Sequence, residues 1–195
     1  MKKAFLLVTI LFVSVLSTAC INNFAVQELN SKAKGYLAQG DYDNAISRLK
    51  SSIDLDSTIF ETHYNLAIAY TQAEMFPEAV ESFKRAMLLN PDFVDVYYSL
   101  AVSQENFAKG IIDGSFNIVD GEIESKTLNV KDSGQVVAEK KLTKEEKVKI
   151  VELLDASIKS YTAYLEKAEQ PEDKEAVELK IEYLQKQADK YTKGI

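Results

Sequence analysis

Apolar residues recur at steps of three and four along most of this chain, the period of an amphipathic helix. Leu29, Ala33, Tyr36 and Leu37 share one helical face, and Ala45, Ile46, Leu49 and Ile53 share another. Gly40-Asp41-Tyr42 between them predicts a turn, because Gly ends a helix easily and Asp caps the next. His63, Leu66, Ala67 and Tyr70, then Ala79, Phe83 and Ala86, form the next pair of stripes. Asn90-Pro91 closes that pair, since Pro cannot donate a helical bond. Tyr97, Tyr98, Leu100 and Ala101 begin the first helix of a third pair, which Gly110 is expected to end.

From Ile111 to Leu142 the texture changes to β-branched residues with Asp-Gly and Ser-Gly steps. Asp120-Gly121 predicts a two-residue hairpin between Ser115–Val119 and Glu122–Lys126, with Ile118 opposite Ile123. A second hairpin is predicted to pair Leu128–Lys131 with Gln135–Lys140. Helical pattern resumes at Thr143, where Thr143-Lys144-Glu145-Glu146 has the form of a capping box. Val151, Leu154, Ile158, Tyr161, Leu165 and Ala168 then predict one apolar face over roughly 25 residues. Gln170-Pro171 breaks the chain, and Glu172 to about Lys190 is a final helix with Val177, Ile181, Leu184, Ala188 and Tyr191 inward.

The early stripes repeat at an offset of 34 residues. Tyr36 meets Tyr70, Tyr42 meets Phe76, Ala45 meets Ala79, and Leu49 meets Phe83. At the next offset Tyr64 meets Tyr98, Leu66 meets Leu100, and Ala67 meets Ala101. This pattern resembles the tetratricopeptide repeat, a helix pair of that period. The resemblance implies an all-α helical solenoid of about three helix pairs with a C-terminal capping helix, spanning residues 25–191. The third pair would be split by a β-hairpin insertion at 111–142.

The first nineteen residues have another character. Lys2 and Lys3 precede the apolar run Ala4 to Leu16, too short to span a bilayer as a helix. Leu16-Ser17-Thr18-Ala19-Cys20 resembles a bacterial lipobox, with Leu one place earlier than usual. Residues 1–19 are therefore read as a signal peptide, and 20–24 as a lipidated N-terminus and short tether. Cys20, the single cysteine, would carry the lipid. An ordinary signal peptide leaving a free thiol is the alternative. Ile21 after the cysteine resembles the outer-membrane sorting class, which implies a periplasm-facing envelope protein.

Charge narrows the partners. Without residues 1–19 the chain has 21 basic against 30 acidic side chains, which disfavours nucleic acid and anionic headgroups. His63 is the one histidine, so too few His and Cys residues remain to build a zinc site; a Ser-His-Asp arrangement would have to use His63, and no nucleophile-elbow Gly pattern accompanies it. No phosphate-cradling Gly loop is present, and no cofactor or catalytic residue is expected.

In the tetratricopeptide family ligands are read from one face of each first helix. That resemblance places partner binding on Lys34, on Glu61, Tyr64, Asn65 and Ile68, and on Asp95, Tyr98, Val102 and Glu105. Only Lys34 among them is basic, so the groove is expected to prefer a neutral or basic segment. Tyr64 and Tyr98 packing on neighbouring helices is the competing reading. The expected function is a scaffold for assembling an envelope protein complex. The alternatives are a carrier enclosing an apolar ligand or lipid, and a catalytic envelope protein.

Overall fold

A computed structural model describes residues 23–125, 141–169, 171 and 173–193. Seven helices and one two-stranded hairpin occur among them. They fall into two compact units, one up to Met75 and one from Phe76 onward.

The first unit contains α1 (23–38), α2 (Tyr42–Leu55) and α3 (Phe60–Gln72). Gly40 makes the α1–α2 turn at φ +73°, a left-handed conformation that costs a Cβ-bearing residue about 1 kcal/mol. Asp41 then caps α2, its carboxylate accepting from Asn44 N–H at 3.2 Å. Ala45, Ile46 and Leu49 are buried on α2 as the stripe requires. Ser52 is buried beside them although it is polar, because Asn30 Nδ2 donates to its Oγ at 2.9 Å. The same amide nitrogen is also within bonding distance of Thr62 Oγ1 (2.9 Å) and Val26 O (3.0 Å), so its two N–H groups are shared among three acceptors. One side chain thus links all three helices of the unit. His63 is buried, and its Nε2 lies 2.9 Å from Ser57 O, which makes that nitrogen the donor. The histidine thus closes the α2–α3 turn.

The second unit contains α4 (Phe76–Leu89), α5 (Asp95–Asp113), β1 (Phe116–Val119), β2 (Glu122–Ser125), α6 (Lys144–Lys167) and α7 (Lys174–Thr192). In sequence order α4 packs on α5, α5 on α6 and α6 on α7, while β1 leans on α5 and α6. Phe107, Ile111, Ile150, Leu154, Tyr161, Val177 and Leu184 belong to its core.

The first hairpin has the predicted register, with Ile118 opposite Ile123. Asp120 and Gly121 both take positive φ, 51° and 80°, as a two-residue turn of this hand demands. The predicted second hairpin, Leu128–Lys131 with Gln135–Lys140, lies outside the described residues, as do residues 1–19, expected to be a signal peptide, and Cys20.

Gly110 does not end the third first-helix. α5 runs on to Asp113, and Gly114 at φ 88° terminates it. The physical reason for a glycine in mid-helix is steric. A Cβ at position 110 would stand 2.5 Å from Phe116 Cδ2 and 2.8 Å from Cε2. Phe116 is buried there, with its ring edge-on to Phe107 at 5.4 Å and to Phe76 at 6.1 Å between centroids.

The capping box at Thr143 is formed. Thr143 Oγ1 accepts from Glu146 N–H, and Glu146 accepts from Thr143 N–H. The inward face of α6 is rotated from the predicted one: Ile150, Leu153, Leu154, Ser157, Ser160 and Tyr161 are buried, whereas Val151, Ile158 and Leu165 are half-buried. Two hydroxyls account for the rotation. Ser157 Oγ donates to Ala101 O at 2.8 Å, and the single Ser160 hydroxyl proton is shared between Gln104 Oε1 at 2.9 Å and Ala156 O at 3.0 Å. Both serines can therefore face α5 without an unsatisfied group. Val177, Leu184 and Ala188 of α7 are buried as predicted.

Candidate functional site

Within the first unit Lys34 and Glu61 are exposed on α1 and α3. Tyr64 and Ile68 are half-buried, and the Tyr64 ring stacks on Phe60 one turn earlier, centroids 5.8 Å apart. Asn65 Nδ2 points to Asn30 Oδ1 at 3.4 Å, joining the polar link between the three helices. Its amide is thus directed at its own unit.

In the second unit the expected binding residues on α5 meet α6 and α7. Tyr98 places its ring edge-on to Tyr161 and Tyr164, at 5.5 and 5.2 Å. Val102 packs against the core. Glu105 accepts from Lys180 Nζ of α7 at 3.0 Å, and more weakly from the Tyr161 hydroxyl of α6 at 3.4 Å. One carboxylate thereby connects three helices. Burial above all, then the Glu105 charge, holds the Tyr161 hydroxyl well above its ordinary titration range.

Asp95 stands apart. It is exposed at the start of α5, on the wall of a cleft of about 800 Å³. The chain near Asp92 forms one side, and the end of α6 with the turn into α7 forms the other. Among the described residues, Asp92, Asp95, Glu169 and Asp173 line it together with a single cation, Lys167. Lys167 Nζ lies 5.3 Å over the Tyr97 ring, and the Tyr97 hydroxyl donates to Pro91 O at 3.0 Å. Tyr164 also lines the cleft and donates to Asp173 Oδ1 at 3.0 Å. Burial first, and then that hydrogen bond, raise the Tyr164 pKa, so its hydroxyl stays a neutral donor.

The structure thus brings Asp95 and Tyr98 to Tyr164, and Glu105 to Lys180. Tyr164, Lys167 and Asp173 were not expected as site residues. The signal for them was thin: Tyr161 and Tyr164 repeat the aromatic spacing of a second helix, but that spacing does not say which of the two faces a cleft. Among the described residues no group of three or more His, Cys, Asp or Glu could hold a metal ion. None of the described helices is long and apolar enough to cross a membrane.

Comparison with known proteins bears on the helical-repeat fold. The family described as "Tetratricopeptide repeat" matches residues 60–93, and one described as "TPR repeat" matches 33–74. A curated relative is the tetratricopeptide repeat and J domain-containing co-chaperone DNJ1 of Cryptococcus neoformans, 31% identical over 115 residues. The match takes in 55% of this chain but spans only 22% of that relative's length. The first TPR domain of human RPAP3 superposes with a TM-score of 0.57 at 18% identity, covering 85% of this chain and 95% of that one. The Arabidopsis OM64 TPR domain gives 0.56 at 12% identity, covering 83% and 98%. The first TPR of Spaghetti (RPAP3), bound to the HSP90 peptide SRMEEVD, gives 0.54 at 17% identity, covering 83% and 90%. At these identities the likeness is one of fold. The chain thus has an all-α, tetratricopeptide-repeat-like fold, with repeats recognised over residues 33–93 and a β-hairpin between the helices of its third pair.

Proposed function

We propose that this chain is a non-catalytic protein-binding scaffold that takes a neutral or basic segment of a partner in the cleft between the start of α5 and the α6–α7 turn. The observation that carries this reading is the cleft's charge: four carboxylates, Asp92, Asp95, Glu169 and Asp173, against one lysine. Tyr164 adds a flat amphipathic wall of the kind enriched in protein interfaces. The neighbour named above holds an acidic peptide, SRMEEVD. Such a peptide is disfavoured here, because its carboxylates would meet like charge. The cleft is also mainly polar in its lining residues, unlike the apolar pocket that a lipid carrier needs.

The scaffold is proposed to act in a bacterial envelope, held to its membrane by lipid on Cys20 and facing the periplasm from the outer membrane. The lipobox-like residues Leu16 to Cys20 support this part. Crosslinking in native envelopes, followed by capture of this protein, tests the binding reading. Asp95→Lys with Asp173→Lys is expected to lose the crosslinked partner while keeping its helix content. Full retention of the partner would reject the cleft. The anchor is tested separately: Cys20→Ala is expected to leave the membrane fraction or to stay unprocessed, and normal fractionation with no acyl mass on the wild type would reject it.

A further inference from the structure

We infer that the outer face of α7 is a self-association surface whose occupant is α7 of a second copy of this chain, running antiparallel. α7 turns Val177, Leu184 and Ala188 inward. On its other side Leu179 and Tyr183, one turn apart, are 61% and 53% exposed. Those are large values for apolar side chains on a helix otherwise laced with charge.

The charges beside these two residues are sorted along the axis. At roughly 100° per residue, Glu175, Glu182, Lys186, Lys190 and Lys193 share the half of the helix that carries Leu179 and Tyr183. The two acids precede Tyr183 and the three bases follow it, and all five are exposed. Lys174 and Glu178 lie toward the opposite side and pair with each other. Asp189 stands about 20° beyond Glu182, at the edge of the face, as the one acid among the bases. Lys180 is engaged by Glu105.

This sequence is complementary to its own reverse. A two-fold axis near Leu184 sets Glu175 against Lys193 of the second copy, and Glu182 against Lys186 of the second copy. The intrahelical Glu182–Lys186 pair, 2.6 Å apart, then becomes half of a four-charge ring. Leu179 and Tyr183 lie on the aliphatic stems of Lys190 and Lys186 of the second copy, as long basic side chains allow. A parallel arrangement would put like charge on like. The contact is isologous, so it closes at two copies and does not propagate. A single helix pair falls short of the roughly 1,600 Å² of a standard interface, so the dimer is expected to be reversible and salt-sensitive.

Sedimentation of the full-length chain over a wide concentration range tests the surface. The wild type should show a monomer–dimer equilibrium that shifts toward monomer as salt rises. Glu175→Lys with Glu182→Lys, and separately Lys186→Glu with Lys193→Glu, should each weaken it by roughly tenfold or more. An equimolar mixture of the two variants should recover association, since each then meets its complement. A neutral second variant, Leu179→Ser with Tyr183→Ser, should also be monomeric at full helix content, without disturbing the helix dipole. A wild type that stays monomeric throughout, association indifferent to these residues, or no recovery on mixing would overturn the inference.

Discussion

The Phe116 ring occupies the place where a side chain on Gly110 would begin, 2.5 Å from the position of its absent Cβ. A glycine in the interior of α5 costs about 1 kcal/mol of helix propensity relative to alanine. The chain bears that cost so that β1 can seat one aromatic ring on the helix, against Phe107 and Phe76.

Gly110→Ala therefore sets two effects against each other. Overpacking costs about 1–3 kcal/mol, while the gained helix propensity returns about 1 kcal/mol. Net destabilisation of about 1 kcal/mol is expected in urea unfolding, with faster amide exchange in Phe116–Val119. In a Phe116→Ala background the overlap is gone, and the same Gly110→Ala change should become neutral or stabilising. That reversal of sign is the decisive reading of the double-mutant cycle.

Ser160→Ala leaves Gln104 Oε1 without its donor in a buried site. The expected loss is about 1–3 kcal/mol in denaturant unfolding, the desolvation cost of an orphaned acceptor. Ser157→Ala removes the bond to Ala101 O, which as a helical carbonyl keeps its place in α5, so a smaller loss of about 1 kcal/mol is expected.

Alkaline titration should reveal Tyr161. Its folded pKa is raised above the ordinary 10.0 by burial and by Glu105. Below pH 10 the phenol is protonated in folded and unfolded chains alike, so the stability tied to it is fully present. As pH rises beyond that, the unfolded chain releases the proton first, and stability falls by about 1.4 kcal/mol per pH unit. Tyr161→Phe should flatten this part of the stability profile, measured by chemical unfolding at a series of pH values.

Gly40→Ala is expected to destabilise the first unit by about 1 kcal/mol, because φ +73° disfavours a Cβ although the space around it is open. Gly35→Ala, also in open space but within α1, should instead stabilise by about 0.5–1 kcal/mol. Parallel thermal melts of the two variants separate backbone conformation from crowding.

Local chemistry made much of this fold legible. Asp120-Gly121 determines its own turn, and Ile118 follows into register opposite Ile123. Thr143 and Glu146 cap each other within one turn. The misreadings arose where the deciding partner is distant. Gly110 looks like a helix stop until Phe116 is seen above it. Ser157 and Ser160 stand outside the predicted apolar stripe of α6, and only Ala101 and Gln104, 56 residues earlier, which accept hydrogen bonds from them, explain their burial. The candidate cleft was half legible for the same reason: Asp95 could be placed from the repeat, but Tyr164, Lys167 and Asp173 come from beyond the insertion. Their approach depends on how α6 packs, which no local pattern encodes.

The placement of the hairpin also bears on the order in which the second unit can assemble. Thirty residues separate the end of α5 at Asp113 from the start of α6 at Lys144, whereas six separate α6 from α7. Closing the longer loop costs about 1.4 kcal/mol more in chain entropy, since that cost grows as the logarithm of loop length. Docking of α7 on α6 is thus favoured to come early, and α5 must find α6 across the greater distance. A hairpin that closes on itself between them, and seats Phe116 on α5, ties up part of that span before the helices meet. In kinetic terms the insertion partly repays the delay that its own length imposes.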